Sequence, residues 1–150
     1  MQRTRQLFLV AIYLVVAASV GAAQPDLTLA RVNKIFVHSW PSSPRESQVA
    51  SVTRELKRVG FTIVDDSSQA DAILTCEEQR QIVLDGDGSE PDKAIFNYSL
   101  SLPDGRPVWK HTVKFVSKSS PTDDTDYAAT KVAERLNKDR EKSRSKAVRP

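Results

Sequence analysis

Residues 31–64 read RVNKIFVHSWPSSPRESQVASVTRELKRVGFTIV, and this stretch decides the fold. It predicts two short apolar strands, at residues 35–37 and 61–64, on either side of a helix. Ser43-Pro44-Arg45-Glu46 matches a capping box with proline at the first helical position. Gly60 is the predicted left-handed stop. Strand, helix and strand at this spacing predict a parallel pair joined by a right-handed crossover.

Three more strands and a second helix are predicted downstream. The strands are expected at residues 71–84, 94–102 and 108–116, separated by the turn-rich segment 85–92 and by Pro103-Asp104-Gly105. The helix begins after Ser120-Pro121-Thr122-Asp123, and its apolar stripe ends at Leu136. The order strand-helix-strand-strand-strand-strand-helix predicts an α+β fold. We expect a two-layer sandwich of one mixed five-stranded sheet with two helices on one face.

The chain has three predicted parts: a signal peptide at residues 1–23, a single α/β domain at residues 24–137 and a basic disordered tail at residues 138–150. Arg3 and Arg5 precede an apolar run of about 14 residues and then small residues, as in a secretory signal. A membrane anchor is the alternative, but the run is shorter than a span of ~20 residues. No cysteine directly follows this run, so no lipid attachment is expected. The sequence predicts a periplasmic or secreted protein with no stable membrane anchor after cleavage.

The positive charge of the chain lies at its ends. The 22 basic and 19 acidic residues give +3 overall. Residues 138–150 carry six basic and two acidic residues, and the signal segment carries two arginines, so the remaining domain is at −3. A nucleic-acid partner is therefore not expected. The tail predicts weak, salt-sensitive contact with anionic surfaces. Its basic residues are Lys138, Arg140, Lys142, Arg144, Lys146 and Arg149.

Cys76 is the single cysteine of the chain. It shares a predicted strand face with Ala72 and Leu74, so we expect it to be buried and reduced. The alternative is a reactive thiol or a disulfide between two chains.

Motifs for catalysis, metals or cofactors are missing from the sequence. It has no Gly-x-Ser-x-Gly, Cys-x-x-Cys or His-Glu-x-x-His, and no glycine-rich phosphate loop follows a strand. His111 shares strand parity with Trp109, which predicts a partly buried sheet residue rather than a base. The acidic segment 85–92 lacks the glycine and glutamate positions of an EF-hand, which leaves only weak calcium capture open. No cofactor and no enzymatic activity are expected.

Several structural motifs resemble a known family. Gly60-Phe-x-Ile-Val64, Ala70-Asp-Ala-Ile-Leu74 and a hairpin ending in Val108-Trp-Lys110 are similar to cell-envelope modules of the TolB amino-terminal and CsgG type. The resemblance covers most of residues 31–136. It implies a non-enzymatic assembly or interaction domain and brings no catalytic residues. This sequence departs from those modules in having no cysteine directly after its apolar run, and we expect no following domain.

The predicted function is that of an exported protein-interaction module of the cell envelope, with an unidentified envelope protein as partner. The alternative is a small secreted hydrolase with an unrecognised site. Strand alternation leaves short polar side chains on the sheet face away from the helices, and we expect the partner to bind there. The candidate residues of this face are Asn97, Ser99, Ser101, Lys110, Thr112 and Lys114.

Overall fold

The computed structural model describes residues 25–38, 46–81, 93–117 and 121–148, which form one sheet and one layer of helices. Three α-helices lie in these ranges, α1 (Pro25–Arg31), α2 (Glu46–Arg58) and α3 (Pro121–Ala147), together with a short 3₁₀ helix at Ser67–Gln69. The strands are β1 (Lys34–His38), β2 (Thr62–Ile63), β3 (Ala72–Gln81), β4 (Lys93–Ser101) and β5 (Pro107–Val116).

The five strands form a mixed sheet in the order β2-β1-β3-β4-β5. β1 pairs in parallel with both β2 and β3, whereas β4 is antiparallel to β3 and to β5. The parallel neighbours follow from the crossover through α2, and the antiparallel strands follow from hairpins. The predicted fold class, an α+β two-layer sandwich with a mixed five-stranded sheet, is confirmed.

The core lies between the helices and one face of the sheet. Along β4, Ala94, Phe96, Tyr98 and Leu100 are buried, while the residues between them are only partly buried. Their apolar side chains pack with those of α3, which include the fully buried Ala129, Val132, Ala133 and Leu136. Because all three helices cover this face, the residues of opposite parity face away from the core.

Local signals at the α2 end of the sheet act as the sequence predicts. Gly60 has a φ of 91°, and the Phe61 and Gly60 amides donate to the carbonyls of Leu56 and Lys57, which makes a Schellman motif. Asp71 has a role that the sequence did not show: its Oδ2 accepts from the amides of Asn33 and Lys34. The predicted capping box at Ser43 and the signal peptide lie outside the described residues.

The helical layer differs from the prediction in two ways. The helix α1 was not predicted, because seven residues are too few to show a helical period, yet Leu29 and the following Val32 are buried. The prediction of a disordered tail from Lys138 is wrong, because α3 continues to Ala147. A highly charged segment can still form a helix when its few buried residues make tertiary contacts.

Two arginines make those tertiary contacts in the C-terminal half of α3. Arg140 is 4% exposed, and its guanidinium lies 3.8 Å from the centre of the Phe61 ring. Arg144 donates to the Ala30 carbonyl and to the Asn33 side chain. The predicted contact of the tail with anionic surfaces therefore cannot use all six basic residues equally. Arg149 lies outside the described residues.

Within the described ranges, no helix combines the length and the apolar character needed to cross a membrane.

Candidate functional site

The sheet face opposite the helices, here called the open face, carries all six candidate residues. Strand pairing sets them in rows across the sheet. One row consists of Thr75, Ser99 and Lys110, and the next consists of Glu77, Asn97 and Thr112. Lys114 lies opposite Ile95, and Ser101 lies opposite Ile73. The alternation predicted for β4 and β5 thus places the six residues on one surface.

A shallow concavity of about 300 Å³ lies on this face. Four of the candidate residues line it, namely Asn97, Ser99, Lys110 and Thr112. Thr75 and Glu77 on β3 complete the side-chain lining, whereas Ser101 and Lys114 lie on the same face outside it. The structure therefore brings four of the six together and places the other two beside them.

Hydrogen bonds hold the polar side chains of the concavity in place. The Thr112 hydroxyl donates to Asn97 Oδ1 at 2.9 Å, across the β4–β5 pair. The Thr75 hydroxyl donates to the Ser99 carbonyl at 3.2 Å. These short side chains lose little conformational entropy when a partner binds, and each retains further hydrogen-bonding capacity.

The charge of the open face is uneven. β4 and β5 contain Lys93, Lys110 and Lys114 but no aspartate or glutamate. All three lysines are exposed, and none takes part in an ion pair among the described residues. Glu77 on β3 faces the same concavity, where Gln79 donates to its carboxylate. The outer half of the face is therefore cationic.

Apolar residues also reach the open face, and they were not among the candidate residues predicted from the sequence. Phe36 on β1, Ile73 on β3 and Ile95 on β4 alternate with core residues and are partly buried. Their position on the open face could have been predicted from the sequence, because each alternates with apolar core residues along its strand. Phe36 and Ile73 are direct cross-strand neighbours, so the face has an apolar margin beside its polar centre.

Cys76 lies on the other side of the sheet. Gln48 Nε2 donates to its sulfur at 3.0 Å, and the thiol is free and half-buried. Burial raises the pKa of the Cys76 thiol to about 12, and the nearby Glu78 and Glu77 charges add to this rise. Cys76 lies on the same side of the sheet as Ala72 and Leu74, as predicted, but it is partly buried and not fully buried as expected. A thiol with so high a pKa is a poor nucleophile.

The two histidines lie on opposite faces of the sheet. His111 is partly buried on the helix side, 5.7 Å from the Trp109 ring, as its parity predicts. Burial lowers the pKa of His111, Arg135 lowers it further, and Asp139 opposes both. His38 lies on the open face, near the Phe36 ring. Glu77 and Glu78 also face opposite sides, because successive strand residues alternate. Glu78 pairs with Arg80 beside the buried Asp124.

Metal binding finds no support in the described part of the chain, where no three His, Cys, Asp or Glu side chains are grouped for it. The acidic segment 85–92, for which weak calcium capture stays open, lies outside the described residues.

Comparison with known proteins finds distant similarities among solved structures. No family model and no curated protein matches the chain. Among solved structures, a minor lipoprotein of Acinetobacter baumannii is 12% identical, with a TM-score of 0.47, over 73% of this chain and 95% of its own. The PelC dodecamer of Paraburkholderia phytofirmans is 17% identical, with a TM-score of 0.48, over 72% and 89%.

A third similar structure is lipoprotein GNA1162 of Neisseria meningitidis, which is 12% identical, with a TM-score of 0.42, over 71% of this chain and 99% of its own. At these values the similarities carry no conclusion about function. None of the three is named as a TolB or CsgG-type module, so that resemblance stays a prediction from the sequence.

Proposed function

We propose that this chain is an exported, non-enzymatic protein-interaction module of the cell envelope, and that its open face binds the partner. The export signal predicted at residues 1–23 supports the location. One observation carries the site: Asn97, Ser99, Lys110 and Thr112 line a single solvent-facing concavity. Its volume of about 300 Å³ is at the lower end of ligand pockets, and it is shallow, whereas small-molecule sites enclose most of their ligand.

The chemistry of the face favours docking over catalysis. A protein–protein interface combines a polar, hydrogen-bonding rim with a more apolar core. Thr75, Asn97 and Ser99 supply the first, and the neighbouring Phe36 and Ile73 supply the second. Partner binding is thus expected to extend from the concavity towards β1.

A small secreted hydrolase is the second candidate, and one observation favours it. Ser99 and Lys110 are direct cross-strand neighbours, and serine with lysine is a known nucleophile and base combination. However, Lys110 is exposed, whereas a catalytic lysine is usually desolvated so that it can give up its proton. Binding is therefore the better supported function.

The test compares capture of envelope proteins by the immobilised wild-type protein and by two face variants, Ser99→Arg and Thr112→Glu. Each introduces a long or charged side chain into the concavity, so we expect at least a tenfold loss of a reproducibly captured protein. The circular dichroism and the melting curve should be nearly unchanged. Ser145→Arg, at an exposed position of α3, is the matched control and should capture normally.

Normal capture by both face variants would place the binding site elsewhere and contradict the proposal. Turnover of ester substrates by the wild type, lost in Ser99→Ala, would replace the binding function with hydrolysis.

A further inference from the structure

The outer edge of β5 is the longest unpaired backbone edge of the sheet. The sheet ends at β2 on one side and at β5 on the other. β2 has only two residues, Thr62–Ile63, whereas β5 has ten, Pro107–Val116. No strand within the described ranges pairs with this outer edge of β5. In an antiparallel strand, alternate residues direct both N–H and C=O away from the neighbouring strand, so about half of β5 presents both groups outward.

Lysines mark this edge. Lys110 and Lys114 lie on the open face of β5, and a rise of ~3.3 Å per residue separates them by about 13 Å along the strand. Lys93 lies on β4, opposite Val116. Because β4 and β5 contain no acidic residue, the nearest described strand carboxylate on this face is that of Glu77, two strands in from the edge.

A second copy of this chain is a poor occupant for the edge. An antiparallel β5–β5 pairing centred on Thr112 would place Lys110 of one copy directly opposite Lys114 of the other, and the reverse. Like charges directly opposite each other destabilise a sheet. Lysines at an edge commonly guard it against such self-pairing.

The same lysines favour a strand of opposite charge. We propose that the β5 edge binds an extended, acidic segment of another protein as a sixth strand, antiparallel to β5, with carboxylates at positions i and i+4 opposite Lys114 and Lys110. Backbone hydrogen bonds supply the affinity in this mode of recognition, and the alternating side chains supply the specificity. Lys93 extends the positive surface behind the bound strand.

This inference deepens the proposed interaction role, on which it rests, because it names the class of partner. The edge adjoins the concavity, and Lys110 belongs to both. A segment paired with β5 would therefore lie along the rim of the open face, while the body of the same partner contacts Ser99 and Asn97.

The test uses fluorescence anisotropy with a labelled peptide, Thr-Val-Glu-Val-Thr-Val-Glu-Val-Thr, and the full mature chain. Its glutamates are spaced i, i+4, and its alternating valines would lie on the helix side. We expect saturable binding that is at least tenfold weaker for the variant Lys110→Glu/Lys114→Glu. That variant should instead prefer the peptide in which lysine replaces both glutamates. The control Lys138→Glu/Lys142→Glu makes the same charge change at the same spacing on α3 and should bind like wild type.

Backbone pairing is separated from simple charge attraction by two N-methylated versions of the peptide, blocked at odd or at even residues. A strand that pairs along one edge uses alternate amides, so one version should lose binding at least tenfold and the other should keep it. Equal binding by both versions would overturn strand addition. Absence of binding by the unmodified peptide would also overturn the inference. The lysines would then serve only to prevent pairing between two β5 edges.

The outcomes also separate this inference from the proposed open-face site. If the peptide fails to bind while Ser99→Arg still abolishes capture, the edge inference is wrong and the open face stands. If the peptide binds while Ser99→Arg and Thr112→Glu capture normally, the open-face site is wrong and the edge stands. Self-association of the wild type that becomes stronger in a Lys110→Glu single variant, where the like-charge pairs with Lys114 become opposite-charge pairs, would point to a second copy and contradict the acidic partner.

Discussion

At the scale of single residues, the chemistry of the Cys76 thiol follows from its position on β3, next to α2. Gln48 contacts the sulfur, and burial raises the pKa of the Cys76 thiol to about 12. At pH 8 such a group is almost entirely protonated, whereas an ordinary cysteine is ionised in a sizeable fraction. The side chain therefore acts as a packing group and not as a nucleophile.

The first prediction concerns this thiol. We expect a thiol reagent at pH 8 to label native Cys76 at least a hundredfold more slowly than the unfolded chain, because the thiolate is rare and partly covered. The measurement is the rate of reagent release, with a sample in urea as the control. Fast labelling of the folded protein, or a disulfide dimer on a non-reducing gel, would count against a buried, reduced cysteine.

Arg140 shows how a charged residue can belong to the core. Its Nη2 donates to Asn137 Oδ1 at 2.7 Å, but Nε and Nη1 are buried with no hydrogen-bond partner among the described residues. Burial lowers the pKa of Arg140, as does Arg144, and Glu141 opposes both. The guanidinium covers Phe61 at the turn that follows α2. We therefore expect the packing of Arg140 to contribute more to the stability of the fold than its charge does.

The second prediction separates packing from charge at this position. Arg140→Ala opens a cavity above Phe61 and should lower the free energy of unfolding by roughly 2 kcal/mol. Arg140→Met keeps most of the volume and removes a poorly satisfied buried charge, so it should lie within about 1 kcal/mol of wild type. Urea denaturation measures both, with the exposed Arg135→Ala as a reference. A methionine variant as unstable as the alanine variant would show that the charge itself stabilises the fold.

At the scale of elements, α3 joins the two ends of the helical layer. Its first half packs on the sheet and on α2, with Ser51 and Arg54 of α2 bonded to Asp126. Its second half contacts α1 through Arg144 and β5 through Asp139, which accepts from the indole of Trp109 at 2.9 Å. The second half is therefore part of the domain.

The third prediction follows from these contacts. A chain ending at Asn137 loses the cover over Phe61, the partner of Trp109 and the contact with α1. We expect its melting temperature to fall by about 10 °C or more, because a loss of 2–3 kcal/mol shifts a domain of this size by that amount. A chain ending at Ala147 is the matched control and should melt like the full chain. An unchanged melting temperature for the chain that ends at Asn137 would instead agree with the disordered tail predicted from the sequence.

At the scale of the whole molecule, the sheet has two faces with different tasks. The helices bury one face, and the other carries short polar side chains around the concavity with lysines towards β5. The β2 edge is too short to accept a strand, so the unpaired backbone lies beside the cationic half of the open face. Both proposed contacts therefore lie on one continuous surface, away from the helical layer.

Much of the candidate site could be predicted from the sequence. The period of two along β4 fixed which of its residues are buried, and so placed Asn97, Ser99 and Ser101 on the opposite face. The same period did so for Lys110, Thr112 and Lys114. The register could not be predicted, because it depends on which strands pair. Only the register shows that Thr75 lies beside Ser99, and that Phe36 and Ile73 form an apolar margin.

The sequence by itself determined the period of each long element, the stop at Gly60 and the sheet with one polar face, because these depend on neighbours within a few residues. Only the tertiary structure explains why residues 138–147 are helical and why the short helix α1 forms. The contact of Arg140 with Phe61 joins residues far apart in the chain, and no local pattern records it. A charged segment and a seven-residue helix both lack a strong apolar stripe. Each is therefore stabilised mainly by packing against the rest of the domain.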